Sequence, residues 1–147
     1  MANSDNVIRA GLTPKLRDIP NLISGLTYTA APPSKHHVSP VPFPPSPSSA
    51  LSPAASGPSR SILYDPPIPE FSVLQLALPR GETETHRAIG GPSVCVVTEG
   101  RGVVRWEGGG TLDVGLGDVV FVGAGTRVGW GAGEEGLVVY RAYVEVD

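Results

Sequence analysis

A single cysteine stands in the 147 residues. That excludes a disulfide framework and makes a reducing setting, the cytoplasm, the expected one. Cys95 lies in the apolar run Ser93-Val94-Cys95-Val96-Val97 and reads as a small buried hydrophobe rather than a reactive thiol. Lysine is nearly as scarce, with two in the chain, and residues 61–147 carry six Arg against twelve Asp and Glu. A surface that tracks phosphates needs clustered cations, so nucleic acid is not an expected partner. No window approaches the roughly 18 to 20 uninterrupted apolar residues of a membrane span. The opening MANSDNVIRAG also lacks the basic start and apolar stretch of a signal peptide. Long stretches free of Gly and Pro are missing too, which excludes a helical bundle or a coiled coil.

What the chain has in quantity is glycine and proline, unevenly placed. Nine prolines fall within residues 30–60 and sixteen glycines within residues 81–136. The first is the composition of a solvated linker and the second that of a turn-rich β domain. Three parts are therefore expected: residues 1–29 with a short helix, a disordered Pro- and Ser-rich linker over 30–60, and a β domain over 61–147. Asp18 is placed to cap the helix, with Pro20 in its first turn and Leu22, Ile23 and Leu26 along one side. The linker should have polyproline II character and bury little. Its adjacent His36 and His37 read as a solvated pair, because neighbouring side chains in a flexible segment do not converge on one ion.

Beyond Ile62 the hydrophobic pattern has a period of two, with turn signals every eight to twelve residues. It predicts strands over 71–78, 93–98, 102–106, 111–114, 119–122, 126–130 and 137–144. Hairpin turns are expected at 99–102 and 107–110. Short strands at this spacing make an antiparallel sandwich or barrel. The stretch Gly117-Asp118-Val119-Val120-Phe121-Val122-Gly123-Ala124-Gly125 resembles the second conserved motif of the cupin β-barrels, which makes the fold class mainly β, a cupin-like antiparallel β-barrel or jelly roll. In metal-binding cupins a histidine ligand follows that motif where this chain has Val128. The upstream motif should supply a His-x-His pair and a carboxylate, and the corresponding region offers His86 followed by Arg87 and Ala88. One imidazole does not make a catalytic zinc site, which takes three protein ligands and an open position. The barrel is expected to be metal-free, with His86 an ordinary exposed or hydrogen-bonded histidine.

Near the start, Arg9, Lys15 and Arg17 gather around Gly11 and the turn Thr13-Pro14. On composition this is either a clamp for a phosphorylated or carboxylated ligand or a few surface cations. Arginine forks onto phosphate oxygens and lysine adds a point charge.

In order, the same residues resemble the signature of the type I mannose-6-phosphate isomerases, the zinc-dependent phosphomannose isomerase family. The run S-D-N-x-x-R-A-G-x-T-P-K is matched at Ser4, Asp5, Asn6, Arg9, Ala10, Gly11, Thr13, Pro14 and Lys15. The likeness continues at Asp18, Asn21-Leu22 and Leu26-Thr27-Tyr28. It resumes at Leu63 to Phe71, Gly91-Pro92-Ser93 and Tyr140-Arg141-Ala142-Tyr143.

This resemblance implies interconversion of mannose 6-phosphate and fructose 6-phosphate through an enediol, supplying mannose for GDP-mannose synthesis. Arg9 takes the place of the family's catalytic arginine. Lys15 takes that of a substrate-binding lysine, and Asp5 and Asn6 support the pocket or serve as capping or turn residues. The family's zinc ligands, a Gln-x-His pair, a Glu and a further His, lie upstream of the signature and have no counterpart here. The chain is thus expected to be a C-terminal portion lacking the zinc-bearing N-terminal cupin domain, inactive by itself and binding no zinc alone. A competing expectation is a non-catalytic cupin-like module that binds a sugar phosphate or a protein. A third is a poorly folded fragment with apolar surface left bare.

Overall fold

A computed structural model of the chain describes residues 19–25, 30–43 and 59–145. The chain divides into two compact units, residues 1–38 and 39–147. The first holds α1 (Ile19–Ser24) and a 3-10 turn over Pro33–His36. Pro20 sits in the first turn of α1, where its missing N–H costs nothing, while Asp18, the expected cap, is outside the described residues. His36 and His37 are both exposed.

The second unit is built from eight strands: β1 (Val41–Pro42), β2 (Ser61–Tyr64), β3 (Ser72–Leu78), β4 (Thr83–His86), β5 (Ser93–Trp106), β6 (Gly110–Gly115), β7 (Val119–Val122) and β8 (Val128–Tyr143). Every pairing is antiparallel. The two long strands β5 and β8 pair along most of their length and join two leaves. One leaf runs β1-β2-β3-β8-β5 with β7 beyond β5. The other joins β6, the second half of β5, the first half of β8, and β4.

The leaves close on a shared core. Leu76, Leu78, Cys95, Val97 and Val139 from the first pack with Val104, Val114, Val128 and Trp130 from the second. The result is the antiparallel barrel that the glycine-punctuated alternation allows, cupin-like as the resemblance at residues 117–125 implies. Cys95 lies fully inside it, and burial pushes its thiol up to about 11.

Three local expectations are corrected. Residues 99–102 are not a hairpin turn but a bulged continuation of β5, with register shifts between Val97 and Glu99 and between Gly100 and Gly102. Gly100 has φ +73°, and a Cβ there would lie 2.1 Å from the carbonyl oxygen of Gly136. The glycine thus bends a strand and admits the facing backbone rather than reversing the chain. Residues 126–130 and 137–144 likewise belong to one strand, β8, with Gly129, Gly131, Gly133 and Gly136 inside it. The turn at 107–110 is a hairpin as expected, closed by Gly109 N–H donating to the Trp106 carbonyl at 3.2 Å.

The third correction concerns the Pro-rich segment, which does bury something. Val41 and Pro42 pair with Leu63 and Ile62, Pro being tolerated on an edge strand. Phe43 is buried with Leu74, Ile89 and Tyr143 in a second, smaller core.

Candidate functional site

Asp5, Asn6, Arg9 and Lys15 lie outside the described residues, so the structure neither gathers nor separates them. Within the described residues, the chemistry gathers on the inner side of β4 and in the stem that closes the Pro-rich excursion. Alternation along Thr83-Glu84-Thr85-His86 turns Glu84 and His86 to the face that carries Trp130 and Val128 across the β4–β8 register, and both are buried.

Glu84 is saturated with donors. Its Oε2 accepts the Arg60 N–H at 2.6 Å, and its Oε1 accepts the hydroxyls of Ser61 at 2.5 Å and Ser59 at 3.3 Å. Ser61, having given its proton to Glu84, accepts from His86 Nε2–H at 2.8 Å, while among the described residues the buried His86 Nδ1 has no hydrogen-bond partner. Phe43 meets the His86 ring edge-on at 5.8 Å, and its N–H donates to the Ser61 carbonyl at 2.9 Å. Both ends of the excursion are therefore held by one buried carboxylate–serine–histidine cluster.

Burial alone would raise Glu84. The His86 ring, with Nε2 3.7 Å from Oε1, and the hydrogen bonds from Ser61 and the Arg60 backbone outweigh it and hold the carboxyl below its ordinary value. His86 is pushed below its ordinary value, chiefly by burial, against the raising effect of Glu84 and with the help of Arg141.

For both groups the unfolded chain binds protons more readily than the native one, so stability rises with pH across their windows. The His86 contribution is lost as pH falls below its ordinary value of 6.5. The Glu84 contribution is lost as pH falls below its ordinary 4.5 towards the depressed native value. Urea unfolding midpoints are expected to fall steadily from about pH 7 to about pH 4. In His86→Leu the upper part of that slope should flatten. An unchanged slope in the variant would show that His86 is not the group being protonated.

A second buried polar group sits on the inner face of β8. Arg141 is 1% exposed; its Nε donates to the Ser93 hydroxyl at 3.0 Å and its NH1 has no hydrogen-bond partner. No ion pair to Arg141 is formed among the described residues. At the barrel's end a half-open hollow of about 400 Å³ is lined by Phe43, Phe71 and Tyr143 together with Arg87. Arg87 is forked onto Glu145 at 2.7 and 2.9 Å, so its charge is already matched.

The donor set does not fit a zinc ion. His86 faces Val128 in register where a metal-binding cupin would have its second-motif histidine. Glu84 is occupied by serine and backbone donors, and no three His, Cys, Asp or Glu side chains converge among the described residues.

The sequence reading singled out His86, and Arg141 only within the run Tyr140-Arg141-Ala142-Tyr143 of the family likeness, but not Glu84 or Ser61. The signal for Glu84 was the E-x-H spacing, which places both side chains on one face of a strand. Arg141 shares its inward parity with Val139 and Tyr143.

Residues 61–106, from β2 through β5, match the family model for the phosphomannose isomerase type I C-terminal domain. The mannose-6-phosphate isomerase of Cryptococcus neoformans var. neoformans is 52% identical over 99% of this chain. The chain is similar along its length to mannose-6-phosphate isomerases, and its residues 61–106 match the C-terminal domain of the type I phosphomannose isomerases. Among solved structures, a lysine-to-alanine variant of phosphomannose isomerase from Salmonella typhimurium is 25% identical, with a TM-score of 0.66 over 98% of this chain and 32% of that one. The Salmonella typhimurium mannose 6-phosphate isomerase bound to substrate (f6p) and zinc has the same fold, with a TM-score of 0.62, 22% identity and coverage of 93% of this chain and 30% of that one. The phosphomannose isomerase likeness thus extends over the whole chain, but this chain spans only 30% of the Cryptococcus relative.

Proposed function

We propose that the chain supplies the catalytic-arginine segment and the C-terminal barrel of a mannose-6-phosphate isomerase. The observation that carries this is the 52% identity to the Cryptococcus enzyme along 99% of the chain, which takes in the run from Ser4 to Lys15. In this reading Arg9 presents a fixed positive charge to the negative oxygen that develops as the sugar passes through its enediol, a preformed cation being worth most where charge appears in the transition state. Lys15 holds the substrate, its phosphate being the matching group, and Asp5 and Asn6 shape the pocket. In this reading the family's zinc is held by residues outside this chain, and among the described residues no three His, Cys, Asp or Glu side chains converge to hold it. The reaction interconverts mannose 6-phosphate and fructose 6-phosphate in the cytoplasm and feeds GDP-mannose synthesis. No helix among the described residues is long and apolar enough to cross a membrane.

Titration calorimetry with mannose 6-phosphate tests the cation roles. The parent chain is expected to bind weakly, Lys15→Ala to weaken binding by about tenfold, as for loss of a charge-assisted hydrogen bond, and Arg9→Ala to change it much less. Equal binding by the parent and Lys15→Ala would contradict the substrate-holding role given to Lys15.

A further inference from the structure

The two leaves of the barrel present opposite kinds of outer surface. Outside the second leaf stand Thr83, Arg105, Thr111 and Asp113 around a half-buried Val103, a mostly polar face. Outside the first leaf, the registers align two apolar rows across three strands. One is Val119–Val96–Tyr140 and the other Phe121–Val94–Ala142. All six side chains are exposed, Val119 at 65% and Phe121 at 70%. The next strand continues the face with Gln75 and Val73, so neither row has a charge in it. An antiparallel sheet with one solvated face should alternate apolar and polar residues. Val94 to Val97 and Val119 to Val122 are apolar on both faces, the pattern of strands covered on both sides. Among the described residues β7 is moreover an edge, paired only with β5.

We infer that the outer face of β7, β5 and β8 is the surface on which the remaining two-thirds of a type I phosphomannose isomerase polypeptide docks. This rests on the isomerase reading above. The curated relative is about three times as long as the part that this chain matches, so the mass to cover such a face exists in the family. A covalently joined partner meets the face at an effective concentration in the millimolar range, an advantage that a second copy of the chain lacks. The partner surface is apolar and uncharged, because the two rows offer it neither charge nor, apart from the Tyr140 hydroxyl, a side-chain hydrogen bond.

Thiol labelling tests the assignment. The native Cys95 is buried, with its thiol pushed up to about 11, so it gives a low background. Val119→Cys and Phe121→Cys are made on the face, and Glu135→Cys, also exposed, away from it. Each is placed in the isolated chain and in a full-length chimera in which this chain replaces the aligned third of the Cryptococcus enzyme. Labelling of the two face thiols is expected to slow at least tenfold in the chimera, with Glu135→Cys unchanged. Equal rates in chain and chimera overturn the proposal. So does protection that already appears in the isolated chain and grows with its concentration, since a second copy is then the occupant. Isomerase turnover of the chimera is read separately. Protected thiols without turnover would sink the isomerase reading and leave the docking face standing.

Discussion

Gly100→Ala is expected to destabilise the barrel by about 3 to 5 kcal/mol, among the largest effects of any single substitution in it. Two costs add. The backbone at Gly100 has φ +73°, a conformation that costs a residue with a Cβ about 1 to 2 kcal/mol. The added carbon would also lie 2.1 Å from the Gly136 carbonyl oxygen and 3.3 Å from Leu137 Cα. Both neighbours are backbone, so β5 and β8 must separate where the bulge joins the two leaves. Gly81 is the control. It has the same φ of +73° with nothing within 4 Å of an added Cβ, so Gly81→Ala should cost only the conformational part. Urea melts of the two variants separate the terms. If Gly100→Ala costs no more than Gly81→Ala, the close approach of the two long strands is not what the glycine serves.

In a full-length chimera with the Cryptococcus enzyme, Arg9→Gln is expected to lower kcat by about 10² to 10³-fold, the loss that follows removal of one group stabilising transition-state charge. KM should change much less, because such an interaction forms chiefly in the transition state. Lys15→Gln should show the opposite split, with KM raised by about tenfold and kcat nearly kept, as for an interaction equal in ground and transition states. An Arg9→Gln chimera that keeps turnover within about twofold would remove Arg9 from the catalytic role.

Local signals announced some elements and could not announce others. β7 could be read to the residue, because turn chemistry brackets Val119–Val122 on both sides. The same residue type misled at Gly100, since a turn glycine and a bulge glycine look alike until the pairing with Gly136 and Leu137, far along the chain, is known. Phe43 among prolines gave no sign of burial, which depends on Ser61, Leu74 and His86 closing around it. Along Thr83–His86 every residue is polar, so hydrophobic alternation is silent where the barrel turns a carboxylate and an imidazole inward. Asp5, Asn6, Arg9 and Lys15 were legible only as a family pattern, and no element among the described residues positions them.

Isomerase activity of the isolated chain beside that of the full-length chimera is the most direct test of the central claim. With mannose 6-phosphate and added zinc, the chimera is expected to turn over and the isolated chain to show none above background. Robust zinc-dependent turnover by the 147-residue chain alone would contradict the account, because the reaction would then need nothing outside it.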